Sequence, residues 1–190
     1  MDILKQNKNI IGKVAKELNR GKVIVCPTDT IYGFLAIAEN KKAVDKIFKI
    51  KKRPKSKHLA VFVKDIKFAK ELAEILPEQE KILKQKWPGK FSFILKRKNS
   101  SAKLYGLDKK TIAIRIPKYK FLNNLLKRVN KPLVQTSVNV SKGPALLKVE
   151  DIKKQFGKYD ILLIDAGNLQ KRKPSKIVDL TSEAQKIVRY

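Results

Sequence analysis

A mixed α/β fold is what this 190-residue chain predicts, and three observations carry that expectation. Stretches with apolar residues at helical spacing are interleaved with short β-rich apolar runs. The two kinds do not alternate strictly, which favours a mixed sheet over a purely parallel one. The chain is 43% hydrophobic, and at this length a chain buries roughly 70% of its unfolded surface, so neither disulfides nor a metal are needed to fold it. No linker, internal repeat or low-complexity stretch interrupts it, so a single domain over 1–190 is expected.

The elements follow in order. From Asn9 to Asn19 the apolar residues Ile10, Ile11, Val14, Ala15 and Leu18 recur at helical spacing, and Gly21 marks the stop. Lys22–Cys26 is a short strand ended by Pro27. Asn40 caps a second helix with Ala43, Val44, Ile47 and Phe48 on its apolar face, closed by Pro54. A buried strand over Leu59–Val63 precedes helices near Ile66–Ile75 and Pro77–Lys86, the latter opening with Pro-Glu. Trp87-Pro88-Gly89 is a turn. Phe91–Leu95 and Thr111–Ile116 are strands separated by a polar loop, and a helix covers Tyr119–Val129. A short strand over Pro132–Gln135 enters the loop Thr136–Pro144. Ile161–Asp165, Ile177–Leu180 and Lys186–Arg189 complete the strands.

Cys26 is the one cysteine, so no disulfide can form within the chain, which fits a reducing compartment. The N-terminus does not read as a signal peptide, and no stretch approaches the roughly 20 apolar residues of a membrane span. A cytoplasmic protein without membrane contact is expected. The net charge of +28 attracts polyanions such as nucleotides or RNA. The excess is mostly lysine spread along the whole chain, so it is equally a compositional background.

Several chemistries can be set aside. There is no Walker loop and no dinucleotide fingerprint. The one histidine, His58, has no nucleophile elbow near it, Cys26 reads as a small apolar strand residue, and no spacing marks a metal site. What remains is polar groups at strand ends, where α/β sheets bind ligands. Thr28-Asp29-Thr30 follows the first strand, and is either a ligand loop or an ordinary turn. Lys51 and Arg53 end a helix before Pro54. They are either dipole caps or a pair reaching a triphosphate. Arg115 shares a strand face with Thr111 and Ala113, opposite Ile112, Ile114 and Ile116. Buried there it needs an anion, either a substrate carboxylate or a structural acid. Ser137-Val138-Asn139-Val140-Ser141 is a dense group of hydrogen-bonding residues.

Taken together these segments resemble one family. Pro27-Thr28-Asp29-Thr30-Ile31-Tyr32-Gly33 resembles its P-T-[DE]-T-x-[YF]-G signature, Lys51-Lys52-Arg53-Pro54 its K-x-R-P, and Trp87-Pro88-Gly89 its W-P-G turn. Ala113–Pro117 is similar to its V-R-x-P strand, Ser137–Ser141 to its S-A-N-x-S loop, Ser175–Asp179 to S-T-[IV]-[IV]-D, and Ile187-Val188-Arg189 to its final I-x-R. Seven blocks in the family's order identify the chain as similar to the YrdC/Sua5 group, in its short form without the extra C-terminal domain. Departures are Phe34-Leu35 for Leu-Gly, His58 for Pro, Phe62 for His, an inserted Lys142, Ala145 for Ser in some members, and Lys176 for Thr.

The resemblance implies a YrdC-like twisted mixed β-sheet flanked by helices around a deep basic cavity. It implies an L-threonylcarbamoyladenylate synthase, a nucleotidyltransferase using L-threonine, bicarbonate and ATP for the t6A modification of tRNA position 37. Thr28, Thr30, Arg115 and Ser175 would hold threonine, with Arg115 on its carboxylate. Lys51 and Arg53 would be catalytic on the ATP phosphates, and Lys57, Thr111, Ser137, Asn139 and Arg189 would help bind ATP. No protein-ligated metal is expected; Mg²⁺ would ride on the triphosphate. tRNA contact and hand-over to downstream t6A transferase proteins are implied as possibilities. The rival reading is a non-catalytic RNA-binding protein on the same fold. A carbamoyl-transfer module of hydrogenase maturation proteins is disfavoured, since those are embedded in longer chains with zinc-finger segments.

Overall fold

The computed structural model describes residues 1–99, 103–172, 174–182 and 186–189; of Arg189 only the backbone is described. In chain order the elements are β1 (Asp2–Lys5), α1 (Ile11–Asn19), β2 (Ile24–Pro27), β3 (Tyr32–Ile37), α2 (Lys41–Lys51), β4 (Ala60–Phe62), α3 (Ile66–Leu72), α4 (Pro77–Lys86), β5 (Phe91–Lys96), β6 (Thr111–Arg115), α5 (Lys120–Val129), β7 (Leu133–Ser137), α6 (Val149–Phe156), β8 (Leu162–Asp165), β9 (Lys176–Asp179) and β10 (Lys186–Arg189). The ten strands form one sheet in the order β1-β8-β2-β3-β7-β4-β6-β5-β9-β10. β8 pairs parallel with β1 and β2, β4 with β6, and β5 with β9. The other neighbours are antiparallel, so the sheet is mixed, as expected.

Local chemistry explains the helix ends. The Asn40 side chain accepts from the Ala43 amide at 3.0 Å and starts α2. The helix stops at Lys51, three residues before Pro54, because Lys52 takes a left-handed conformation with φ of 49°. The Lys52 amide then donates to the Lys49 carbonyl at 3.1 Å and the Arg53 amide to the Phe48 carbonyl at 2.9 Å. This is a Schellman closure with lysine where glycine is usual. It reverses the chain between two residues that were expected to act side by side.

Five stretches depart from the expectations. β3 has no counterpart among the expected strands. It is a hairpin partner of β2 and lies buried on both faces, so it shows no alternation of apolar and polar residues. β1 and α6 were also not anticipated, although Glu150 and Asp151 in the first turn of α6 suit a helix N-terminus. α3 ends at Leu72 rather than Ile75, because Ala73 is extended and bridges Arg97. The strand expected to end at Gln135 continues through Ser137, held by β3.

Alternation along the strands divides the core. Val25, Phe34, Ala36, Val61, Ile112 and Ile114 face the cluster that includes residues of α2, α3, α4 and α6. Ile24, Cys26, Leu35, Ile37, Phe62 and Leu133 face the opposite way, onto Val14, Ala15 and Leu18 of α1 and Phe121, Leu122, Leu125 and Leu126 of α5. That second face is covered by helices over β8, β2 and β3 and as far as Leu133 of β7 and Phe62 of β4. Over β4, β6, β5 and β9 it carries Ala60, Thr111, Ala113, Arg115, Ser92, Ile94 and Ile177, and there it lines a cavity.

Candidate active site

The cavity measures about 640 Å³. Its floor is the face of β6, β5 and β9 just described, and its walls are strand ends and loops. The charged side chains on its wall are Arg53, Arg115, Arg172 and Asp108. Face alternation places Thr111, Ala113 and Arg115 on the cavity and Ile112 and Ile114 in the core, as the spacing predicts.

One end is built on the turn between β2 and β3. Thr28, Asp29 and Thr30 are all buried. The Thr28 hydroxyl donates to the Ile31 carbonyl at 2.7 Å and accepts from the amides of Thr30 at 3.1 Å and Ile31 at 3.2 Å. Its single proton is thereby committed. The Thr30 hydroxyl lies 3.0 Å from that of Thr28, and both residues line the cavity wall. So Thr28 closes the turn, and Thr30 lies beside it on the wall.

Beside this turn lies the Arg115 guanidinium, 2% exposed. Nη2 donates to Asp29 Oδ1 at 2.5 Å and Nε to the Gly89 carbonyl at 2.9 Å, while the Phe62 ring stacks 5.6 Å from its central carbon. Asp29 also accepts from the Lys118 amide at 3.2 Å. Of the two anions left open for Arg115, the structural one is present, and it comes from the signature turn itself. Ser175 sits nearby on the wall with its hydroxyl 3.3 Å from that of Ser92, both buried.

The other end is built from the α2 exit and the loop after β7. Arg53 Nε donates to the Lys57 carbonyl at 2.7 Å and Nη2 to the His58 carbonyl at 2.9 Å. These bonds aim the guanidinium along the cavity wall, and partial burial lowers its pKa. Ser137 donates to Asn139 Oδ1 at 2.8 Å, and the Asn139 amide nitrogen to the Gly143 carbonyl at 2.5 Å. Thr111 donates to Asp108 Oδ1 at 3.2 Å. That carboxylate also accepts the amides of Thr111 and Lys110, both at 2.8 Å, and these bonds hold its pKa below the usual carboxylate range. His58 Nδ1 lies 3.6 Å from Asp108 Oδ2 across the rim.

The fold therefore brings Thr28, Thr30, Arg53, Thr111, Arg115, Ser137, Asn139 and Ser175 onto one wall. Lys51 and Lys57 are not on it. Lys57 is exposed; its carbonyl holds Arg53, and its amide donates to the Pro54 carbonyl at 3.0 Å. The Lys51 ammonium is 1% exposed and points into the protein, behind the 137–143 loop. The expectation for the Arg189 side chain falls outside the described residues, though its neighbour Val188 lines the cavity. Several polar wall residues were missed, Asp108 and Thr136 among them. Ser92 had a signal, a hydroxyl between apolar neighbours in a strand. Gln135 was read only as a strand end. Arg172, whose Nη1 lies 3.5 Å from the Asp29 carbonyl, comes from an unpatterned basic segment and had none. Cys26 packs in the second apolar cluster, where burial pushes its thiol pKa well up, so it is no nucleophile. Among the described residues no helix is long and apolar enough to cross a membrane.

Comparison with known proteins places the chain in a family. The family model Sua5_yciO_yrdC, described as "Telomere recombination", matches residues 16–190. A protein of Methanocaldococcus jannaschii is 33% identical over 178 residues, 94% of this chain and 84% of its own length. A protein of Vibrio vulnificus named threonylcarbamoyl-AMP synthase is 25% identical over 176 residues, 91% of this chain and 95% of that one. Among solved structures, Pyrococcus abyssi Sua5 complexed with L-threonine aligns with a TM-score of 0.86 at 25% identity. The alignment covers 99% of this chain and 56% of that one, so this chain spans little more than half of the longer Pyrococcus protein. On the family match and the relatives alike, the chain belongs to the Sua5/YciO/YrdC family.

Proposed function

We infer that this protein is a threonylcarbamoyl-AMP synthase, an enzyme that transfers the AMP group of ATP to a carbamate of L-threonine. The observation that carries the reading is the single cavity wall on which hydroxyl, guanidinium and amide groups of five sequence-distant motifs of this family meet. The relative complexed with L-threonine supports the amino-acid half. The ten strands in one sheet support reading 1–190 as a single domain.

The chemistry divides between the two ends. At the first, the Thr30 oxygen accepts from the substrate amine or carbamate N–H, with Arg115 and Ser175 beside the carboxylate and Thr28 holding the turn. The amine takes up bicarbonate with loss of water, giving a carbamate. A carbamate oxygen attacks the α-phosphorus of ATP, a new P–O bond forms, and the bond to pyrophosphate breaks. At the second end Arg53, Thr111, Ser137 and Asn139 hold the nucleotide, and the family motif adds Arg189 to the proposed ATP-binding set. Lys57 contributes only its charge. Such a reaction needs little covalent help: it needs an aligned weak nucleophile and fixed positive charge on the phosphates. Among the described residues no cluster of three acid, histidine or cysteine side chains is placed to hold a metal. Mg²⁺ would therefore be carried by the triphosphate, where it neutralises phosphate charge. Work in the cytoplasm, contact with tRNA and transfer of the adenylate to downstream t6A proteins belong to the same proposal.

The test is pyrophosphate release from ATP, with and without L-threonine and bicarbonate, in the wild type and in Arg53→Ala. Release that needs both substrates and collapses in the variant supports the synthase. Salt-sensitive RNA binding without threonine-dependent release overturns it in favour of the binding-protein reading.

A further inference from the structure

Lys51 is a cation placed where cations are costly. Its side chain is 1% exposed, and among the described residues no carboxylate lies within ion-pairing distance of it. Its three N–H groups are matched by three oxygens: the Ser137 carbonyl at 2.5 Å, the Asn139 carbonyl at 2.9 Å and Asn139 Oδ1 at 2.7 Å. The Lys51 carbonyl also accepts the Ser141 amide at 2.8 Å. One residue thus ties the loop after β7 at 137, 139 and 141. The other side of that loop, through Ser137, Asn139, Gly143 and Ala145, is cavity wall, and Lys51 is not on the wall.

The ammonium is therefore hydrogen-bonded but not neutralised. The groups that face it are the loop oxygens, the Phe34 ring of β3 at 5.7 Å, and one charge of the same sign, Arg53. Burial first, and Arg53 second, pull its pKa down to about 7. The counter-charge it lacks would be an anion arriving on the far side of the loop.

We propose that Lys51 is a positioning residue that couples nucleotide binding to uptake of a proton: it holds the 137–143 loop from behind, and a triphosphate in front of the loop fixes the ammonium form. The proposal rests on the nucleotide half of the function above. In the empty protein, loss of the proton leaves two N–H groups for three oxygens, so one tether of the loop is released. Bound phosphate restores the charged form and with it the third tether. Linkage makes the effect reciprocal, so nucleotide binds more tightly as pH falls through neutrality.

The experiment is calorimetric titration of the full chain with Mg-ATP at pH 7 to 8.5, in two buffers of different protonation enthalpy. The wild type should take up a substantial fraction of a proton per nucleotide. Its affinity should fall by up to about tenfold per pH unit above neutrality, the limit for one linked proton. Lys51→Met should bind more weakly, with proton uptake lost and affinity flat in pH. Lys51→Arg, permanently charged, should recover part of the affinity without the uptake. Wild-type binding without proton exchange overturns the coupling and leaves the synthase reading standing, as does uptake that persists in Lys51→Met. No Mg-ATP binding by the wild type at any pH sinks the synthase reading itself, and this coupling with it.

Discussion

The two ends of the cavity each bury a cation, and they do so differently. At the β6 end Arg115 is matched by Asp29, so the charge is neutralised inside the protein. At the α2 end Lys51 has oxygen dipoles only, and its balance of charge is left to a ligand. A neutralised cation is a rigid part of the wall, whatever is bound. An un-neutralised one responds to occupancy and to pH. With the substrates placed as in the proposed function, the difference gives scaffold duty to the threonine end and responsiveness to the nucleotide end.

The sharpest way to break the comparison is to remove the acid. Asp29→Ala takes the carboxylate from a buried guanidinium and should destabilise the fold by about 3–5 kcal/mol, and Asp29→Ala with Arg115→Met should recover much of that. Denaturant unfolding checks both. An unchanged stability in Asp29→Ala would show that the pair is not what neutralises Arg115. Next in size is Arg53→Ala, expected to lower kcat/KM for ATP by about 10²–10³-fold, as for loss of a group aimed at transition-state charge. Steady-state kinetics at fixed threonine checks it.

The Lys51 end can be sharpened through pH. Its folded pKa of about 7 lies below the ordinary 10.5, so between those values the unfolded chain holds a proton that the native state does not. Stability from this group therefore rises with pH across that window and is lost as pH falls towards 7, by about 1.4 kcal/mol per pH unit at its steepest. Unfolding of Lys51→Met at several pH values should lack this slope. Smaller again is Lys52→Gly. It relieves a left-handed lysine and should add about 1 kcal/mol to thermal stability without moving Arg53. Smallest is Lys57→Ala. Acting through exposed charge alone, it should raise KM for ATP by about two- to threefold, and less at high salt.

Much of this site was readable without coordinates. Arg115 was placed correctly by strand alternation alone, because a strand's period is strict and its neighbours Ile112, Ile114 and Ile116 are unambiguous. Thr28 and Ser137 were picked out because their segments lie at strand ends, and Ser175 only through its resemblance to a family motif. Asp29 was seen only as a turn residue. Its pairing with Arg115 spans 86 positions and joins the turn after β2 to the end of β6, so no local pattern encodes it. β3 was missed because a strand buried on both faces has no alternation to read. Lys51 and Arg53 appeared as one cationic pair because spacing two apart looks like shared reach. The left-handed turn at Lys52, a conformation that lysine does not advertise, sends one behind the loop and the other onto the wall.

The sequence by itself determined the mixed α/β class, the order of most elements and the family, since periodicity, capping and short motifs are local properties of the chain. Only the tertiary structure decided which polar groups are mutually satisfied and which face the ligand. That depends on burial and on the direction of each side chain, and both are set by contacts between segments far apart in the chain.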